Sequence, residues 1–200
     1  MSGDRLLICA ALRTEAVALR GACDRARVLR TGLGPRRSSR RRNADAVAGC
    51  GALAVVGLAG GLGEVPSGGV VVADEVRDAH GSTALPDAGS LAARLDRAGF
   101  AVWRGPITTT DHIVGGGEKS ALAATGALAV DMESAALARL AGRGLRAVVR
   151  VVVDTPSEPL LRPRTPYRAC RALLRLRRLT PAVAEWAADP ERAPAVAHRD

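Results

Sequence analysis

Acidic residues lie at three places where the chain is predicted to pass from a strand into a loop or a helix. Asp154 ends a run of valines, and Asp131 and Glu133 follow a short apolar run. Glu15 comes soon after the first apolar run. Strand ends of this kind line the ligand crevice in open α/β sheets, and an ionised carboxylate can accept hydrogen bonds from two neighbouring hydroxyls, as a ribose diol requires. The alternative is that Asp131 and Ser134 cap a helix and Asp154 begins a turn.

Two glycine clusters, at residues 32–34 and 57–61, also follow predicted strands, where the backbone can approach a ligand closely. Neither cluster completes the dinucleotide-binding pattern G-x-G-x-x-G. The run Gly-Glu-Lys-Ser at residues 117–120 is not a phosphate-binding loop, because Glu118 separates the glycine from the lysine. We interpret His112, which stands alone in a polar loop, as a structural residue. We therefore expect no metal site and no cofactor.

These signals require strands that alternate with helices. Apolar and β-branched runs predict the strands, and helical spacing of alanine and leucine predicts the helices, with Thr14 and Thr180 as N-caps. We predict one α/β domain over residues 1–188 with a largely parallel sheet, followed by a disordered tail at residues 189–200. The predicted strands are residues 5–11, 28–31, 52–57, 68–73, 102–109, 128–131 and 147–153, and the predicted helices are residues 14–21, 36–49, 90–98, 132–142, 168–179 and 180–188.

Composition limits the partners of the protein. The net charge of +9 comes from arginine, since Lys119 is the only lysine, and we attribute most of that excess to coding bias. Aromatic residues make up 2% of the chain, which excludes an aromatic stacking platform for single-stranded nucleic acid. We expect no nucleic-acid partner. A basic module that binds nucleic acid or an anionic membrane, through residues 36–42 and the arginines of the C-terminal helix, is kept as an alternative.

The sequence also indicates a compartment. The four cysteines form no C-x-x-C pair, which argues against a disulfide framework and a zinc site. No signal-peptide pattern and no run of ~18 uncharged apolar residues is present, so we expect a cytoplasmic protein. The C-terminal helix carries Leu173, Leu174, Leu176 and Leu179 among its arginines. It can be interpreted as a peripheral contact with the inner face of an anionic membrane, or as an ordinary packed helix.

Taken in order, these segments resemble the purine and uridine phosphorylase superfamily, especially its methylthioadenosine/S-adenosylhomocysteine nucleosidase-like branch. The most specific part is Ala-Val-Asp-Met-Glu-Ser at residues 129–134, followed by Arg-Val-Val-Val-Asp at residues 150–154. The resemblance covers the chain from residue 5 to about residue 155. It implies a single domain with a three-layer α/β/α fold, a mixed and largely parallel sheet, and a homodimer or larger homo-oligomer.

The resemblance is narrower at three runs. Residues 111–114, 118–122 and 125–134 are similar to the phosphorylase-like proteins associated with hopanoid biosynthesis in actinobacteria. This likeness implies that the substrate is adenosylhopane, a lipid-linked nucleoside that loses adenine to give a ribosylated hopane. A nucleosidase for soluble nucleosides such as methylthioadenosine, S-adenosylhomocysteine or futalosine is the alternative.

The family also implies a role for each candidate residue in cleaving an N-glycosidic bond. Asp154 matches the aspartate that donates a proton toward N7 of the leaving purine, help worth roughly 10²–10⁴-fold. Glu133 matches the carboxylate that holds the ribose hydroxyls while oxocarbenium character develops, and Glu15 matches the one that deprotonates a water. Further substrate contacts are implied for Met132 and Asp131 at the ribose, Val114 and Ile113 at the base, and Ala59, Gly60 and Gly61 along the sugar side.

The sequence departs from the family in three ways. Hexameric phosphorylases carry an arginine and a serine that bind phosphate near the end of the third strand, whereas residues 55–58 read Val-Val-Gly-Leu. We therefore favour water over phosphate as the nucleophile, and keep phosphate as a conceivable co-substrate. Val153 replaces a serine, and Ile113 replaces an aromatic residue that packs on the purine. A more aliphatic pocket suits a large lipid-linked nucleoside.

Overall fold

The computed structural model describes residues 6–160, 162–163 and 165–189. The predicted disordered tail at residues 189–200 lies outside this part of the chain, except for Asp189. The strands are β1 Leu6–Ala10, β2 Ala26–Arg30, β3 Leu53–Gly61, β4 Val70–Asp78, β5 Gly81–Ala84, β6 Val102–Thr109, β7 Ala129–Asp131 and β8 Leu145–Asp154. The helices are α1 Arg13–Arg20, α2 Pro35–Ser38, α3 Arg41–Ala48, α4 Ala88–Arg97, α5 Gly116–Ala124, α6 Ser134–Ala141, followed by a 3₁₀ turn at Gly142–Gly144, and α7 Thr165–Ala187.

The described strands form one mixed sheet. The pairs β1–β2, β1–β3, β3–β8, β4–β6 and β6–β7 are parallel, and β3–β7, β4–β5 and β4–β8 are antiparallel. Strand β3 pairs with β8 along most of its length and with β7 at its last two residues. The circuit β3–β8–β4–β6–β7 therefore closes on itself. The predicted α/β class with a mixed, largely parallel sheet is confirmed.

The core lies along β3 and β8. The residues of these two strands are mostly apolar and buried, because α6 and α7 pack against both strands. The valines of β8, apart from Val153, are at most 1% exposed. On one side α7 packs against β8, α1 and α4, and on the other α6 packs against α2 and α3. No helix in the described ranges is long and apolar enough to cross a membrane.

Strand β3 differs from its prediction in a way that matters for the site. The glycines from residue 57 onward were expected to stop the strand, but β3 continues to Gly61. A Cβ atom on Gly57 would lie 2.6 Å from Nη1 of Arg150, and one on Gly61 would lie 2.7 Å from Cγ1 of Val152. These glycines therefore allow buried side chains to approach the strand, rather than marking a turn.

A shift of register in β8 lies at its carboxyl end. Ala59 pairs with Val152, and the next residue, Gly60, pairs with Asp154. Val153 is thus an extra residue in β8, a bulge of the kind that re-aims a side chain next to a site. Asp154, which follows it, points into the cavity described below.

The remaining differences are at the helices. The predicted helix at residues 36–49 is two helices, α2 and α3, separated at residues 39–40. Strand β5 and helix α5 were missed, since β5 is short and exposed and α5 begins in a glycine run. Thr14 lies inside α1 and caps nothing: Glu15 instead accepts a hydrogen bond from the backbone N–H of Leu12 at 2.7 Å.

The C-terminal region is one helix, α7, and not two. It runs through Pro181, whose ring has no N–H to donate. Thr180 is not an N-cap, because its hydroxyl lies mid-helix and donates to the carbonyl of Leu176 at 2.7 Å. Leu176 and Leu179 are buried and Leu174 is 51% exposed, so α7 is amphipathic and most of its apolar face lies against the core.

Candidate active site

A cavity of about 310 Å³ opens at the carboxyl ends of the parallel strands. This volume is at the lower end of the range for small-molecule sites. Most of the residues that line it are apolar, and the buried charged residues among them are Glu15, Lys119, Asp131, Glu133 and Asp154. Of the residues predicted from sequence, those that line it are Glu15, Ala59, Gly60, Ile113, Val114, Asp131, Met132, Glu133 and Asp154. Gly61 is the one predicted residue that does not line it.

Different elements bring these residues together from distant parts of the chain. Glu15 lies in the first turn of α1, and Glu133 is the residue immediately before α6. Asp154 is the last residue of β8, and Gly60 pairs with it from β3. The strand-end placement inferred from the sequence is therefore confirmed for Asp154 and Asp131.

Glu15 is held in one orientation by two backbone donors. Its Oε2 accepts a hydrogen bond from the N–H of Leu12, and its Oε1 accepts one from the N–H of Leu58, both at 2.7 Å. The residue is 1% exposed. Two backbone donors hold this carboxyl group in a fixed direction, which suits a group that takes a proton from a reacting molecule.

Arg150 is a buried cation beside the carboxylates of Asp131 and Glu133, and it was not among the predicted site residues. It is 1% exposed, it forms an ion pair with Asp131, and its Nη2 lies 3.8 Å from Oε2 of Glu133. It also donates to the hydroxyl of Ser134 at 2.9 Å. The available signal was a single arginine within the valine run of β8, because a charge in a strand buried on both faces needs partners.

Asp131 organises the start of α6. One of its oxygens accepts hydrogen bonds from the hydroxyl of Thr109 at 2.7 Å and from the backbone N–H groups of Glu133 and Ser134 at 3.3 Å. The other contacts Arg150 and the hydroxyl of Ser134. The capping interpretation thus describes the contacts of Asp131, and a direct substrate contact by this residue stays a prediction.

Glu133 carries the clearest electrostatic perturbation at the site. Its Oε1 accepts a hydrogen bond from the N–H of Gly34 at 2.7 Å, which ties α6 to the loop before α2. Burial raises the pKa of Glu133 from 4.5 to about 7, and the negative charges of Asp131 and Glu15 add to that effect against the opposing Arg150. The pKa of Arg150 is raised, because those carboxylates outweigh its burial. Glu133 therefore changes charge near neutral pH.

The other end of the cavity holds a second buried ion pair. Lys119, on α5, contacts Oδ2 of Asp154 through its ammonium group, and the two residues are each 4% exposed. The same ammonium lies 3.4 Å from the backbone oxygen of Asp154. Neither the rejected phosphate-binding loop nor the resemblance at residues 118–122 gave Lys119 a role, and α5, which carries it, was not predicted.

His112 lies at the rim and is paired. Its Nδ1 is 2.8 Å from Asp111 and its Nε2 is 2.9 Å from Glu118, and these hydrogen bonds raise its pKa. This agrees with a structural role. Within the described residues, no group of three or more His, Cys, Asp or Glu side chains is placed to hold a metal ion.

Comparisons with known proteins show which sequences and folds this chain is similar to. The sequence profile of the phosphorylase superfamily matches residues 12–160. No curated protein matches the chain at a significant level. The crystal structure of a 5′-methylthioadenosine/S-adenosylhomocysteine nucleosidase mutant from Helicobacter pylori, with 5′-methylthioadenosine in its active site, is 16% identical, with a TM-score of 0.77 over 92% of this chain and 99% of that one. The enzyme from Neisseria meningitidis, in complex with methylthio-immucillin-A, is 19% identical, with a TM-score of 0.74 over 91% and 99%.

Proposed function

Because this chain belongs to the phosphorylase superfamily, we propose that its cavity cleaves the N-glycosidic bond of an adenosine-type nucleoside and releases the purine base. The observation that carries the proposal is the division of charge in one small cavity. Glu15 and Glu133 line one part of the cavity, next to the buried Arg150, and the pair of Lys119 and Asp154 lines another part. N-glycosidic cleavage needs both groups, one at the sugar and one at the leaving base.

On the sugar side, the bond from C1′ to the base breaks and positive charge develops on the ribose ring. Ionised Glu133 accepts hydrogen bonds from the ribose hydroxyls and stabilises that charge. Arg150 lies 3.8 Å from Glu133 and is close to Glu15 at the level of Gly57, so its positive charge offsets the charge of both carboxylates. Glu15 then takes a proton from the attacking water. Met132 packs against the sugar, and its methyl group approaches Gly34.

On the base side, the electron pair of the broken bond moves into the purine. A purine anion is a poor leaving group, so a proton must reach N7 as the bond breaks. Asp154 is the group that we place against N7, with Val114 and Ile113 beside the ring. A general acid at this position contributes roughly 10²–10⁴-fold to the rate.

We propose water rather than phosphate as the nucleophile. The sugar side already contains three carboxylates, Glu15, Asp131 and Glu133, against the single guanidinium of Arg150. A phosphate dianion there would be repelled by the carboxylates, whereas a neutral water would not be. Phosphate stays a conceivable co-substrate until it is tested.

The apolar rim supports a lipid-linked substrate. Leu12, Leu33 and Ile113 border the opening of the cavity and are 36%, 41% and 67% exposed. Apolar side chains that remain exposed beside a site favour a ligand with an apolar substituent. We therefore propose adenosylhopane, in a cytoplasmic protein, ahead of the soluble nucleosides methylthioadenosine, S-adenosylhomocysteine and futalosine.

The test is release of the free purine base from each of these nucleosides by the purified protein, with and without phosphate. We expect hydrolysis without phosphate, and a higher kcat/KM for adenosylhopane than for the soluble substrates. Asp154→Asn should lower the rate by roughly 10²–10⁴-fold while circular dichroism stays unchanged. If the wild-type protein released no base from any of the nucleosides, the proposed function would be wrong.

A further inference from the structure

The only lysine of the chain lies in the cavity. Of the 29 basic residues, Lys119 alone is not arginine. Lys119 is 4% exposed and lies against the carboxylate of Asp154. Arginine can bind a carboxylate through two parallel hydrogen bonds, a bidentate geometry that lysine cannot adopt. A counter-charge alone would therefore not require lysine here.

The ion pair also creates a difficulty for Asp154 as the acid. Oδ2 of Asp154 accepts a hydrogen bond from the ammonium group of Lys119. An oxygen that accepts this hydrogen bond has no proton of its own to give to the leaving base. In this geometry the proton of the pair is on the nitrogen of Lys119.

From these two observations we infer that Lys119 is the source of the proton that the leaving base receives, with Asp154 as the group that passes it on. The inference rests on the proposed function and deepens it. Lysine can give up its proton inside a protein, and arginine cannot. A proton-source role therefore requires lysine at this position, whereas a counter-charge role does not.

The step balances as follows. As the bond from C1′ to N9 breaks, its electron pair enters the purine and N7 takes a proton from Asp154, which takes one from Lys119. The base leaves neutral, Asp154 remains a carboxylate, and Lys119 becomes a neutral amine. Water attacks C1′ and gives its proton to Glu15. Exchange with solvent then returns a proton to Lys119 and removes one from Glu15, which restores the resting state.

The test uses Lys119→Ala and Lys119→Arg in the full chain, with Ser120→Ala, an exposed position of α5, as the matched control. We measure kcat and KM for base release on the best wild-type substrate, together with thermal unfolding. We expect both Lys119 variants to lose kcat by roughly 10²-fold or more with KM changed much less, and Ser120→Ala to resemble the wild type. Ethylamine added to Lys119→Ala should restore kcat, and ethylguanidine should not.

The outcomes separate this inference from the proposed function. Base release by the wild type together with an active Lys119→Arg would overturn the proton-source role and leave the proposed function intact. Equal rescue of Lys119→Ala by ethylamine and ethylguanidine would also overturn it, since only charge would then be needed. A folded Lys119→Ala that neither compound restores would count against it as well. If Lys119→Arg does not fold, the rescue of Lys119→Ala decides alone.

Discussion

The buried charges of this protein form two sets whose members depend on each other. Arg150 is surrounded by carboxylates, and Lys119 is paired with Asp154. The acids were predictable because strand ends and helix starts are visible in the sequence. The two cations were not, since their burial depends on partners far along the chain: Lys119 and Asp154 are 35 positions apart. A sequence pattern shows that a charge is present, and only the fold shows what neutralises it.

The titration of Glu133 gives a prediction in the neutral pH range. Its pKa in the folded protein is raised from 4.5 to about 7, with Arg150, Asp131, Glu15 and the N–H of Gly34 facing it. If ionised Glu133 holds the ribose, kcat/KM should fall about tenfold per pH unit below pH 7. Glu133→Gln should be less active at every pH and show no such inflection. A wild-type profile that is flat from pH 5 to pH 8 would contradict the assignment.

The same group makes stability depend on pH. Folded Glu133 binds its proton more tightly than the unfolded chain does, so its contribution to the free energy of unfolding is lost as pH rises from 4.5 to about 7. Glu133→Gln removes this loss. We therefore compare the melting temperature of Glu133→Gln with that of the wild type at each pH. The difference, variant minus wild type, should be more positive at pH 8 than at pH 5.

Removing the buried guanidinium should be costly. Arg150→Met leaves Asp131 and Glu133 buried without their counter-charge, and we expect the free energy of unfolding to fall by about 3–5 kcal/mol. The control is Arg139→Met, because Arg139 is half-exposed in its ion pair with Asp78. Its loss should cost about 1 kcal/mol or less. Chemical denaturation of both variants measures the difference, and equal losses would mean that the Arg150 cluster contributes no more than a surface pair.

At the scale of elements, β3 shows how sequence reasoning succeeds and fails. The existence of β3 was correctly predicted from its apolar run, but its end was not. Glycine usually indicates the end of a strand. In β3, however, Gly57 allows the close approach of Arg150, and Gly60 allows that of Lys119 and Asp154. Helix α7 shows the opposite error, since Pro181 was read as a start and the helix runs through it. In both elements tertiary packing overrides the local preference.

The substitution Gly57→Ala tests whether β3 needs glycine so that buried side chains can approach it. In Gly57→Ala the new Cβ would lie 2.6 Å from Nη1 of Arg150 and 2.9 Å from Oε1 of Glu15. Arg150 and Glu15 are each 1% exposed and are held by an ion pair and by two backbone hydrogen bonds, so we expect a loss of about 1–3 kcal/mol of stability and a larger loss of activity. Gly117→Ala is the control, because a Cβ there meets no atom within 4 Å. Thermal unfolding and base release compare them, and a stable, active Gly57→Ala would contradict the close approach.

At the scale of the whole molecule, the question is what the positive charge and the exposed apolar residues do. Helix α7 buries Leu176 and Leu179 and leaves Leu174 and Tyr167 exposed. Leu174 lines a surface groove with the exposed Val17 of α1 and with Arg177, and Arg171 lies over the ring of Tyr167. A weak contact with an anionic membrane and a homo-oligomer interface are both compatible with it. Light scattering at several protein concentrations tests the predicted homo-oligomer.

Membrane contact has its own test. Deleting α7 is unsuitable, because the helix is part of the core. Instead we predict that the protein sediments with vesicles that contain phosphatidylglycerol, and not with pure phosphatidylcholine, through apolar and electrostatic contacts together. Leu174→Ser with Arg171→Glu should abolish this binding. Arg41→Glu, an exposed charge reversal on α3 in the other helix group, should not. Equal binding by all variants would exclude the α7 surface.

The bulge at Val153 makes the direction of the Asp154 side chain depend on the number of residues in β8. The alternation of a strand sends successive side chains to opposite faces, and one extra residue decides which face Asp154 takes. A deletion of one codon at this position would remove the bulge and place the acidic group directly after Val152. The direction of its side chain relative to Lys119 would then change, although every reactive side chain would still be present. In such a chain the fold and the candidate residues are kept, and the arrangement of the site is not.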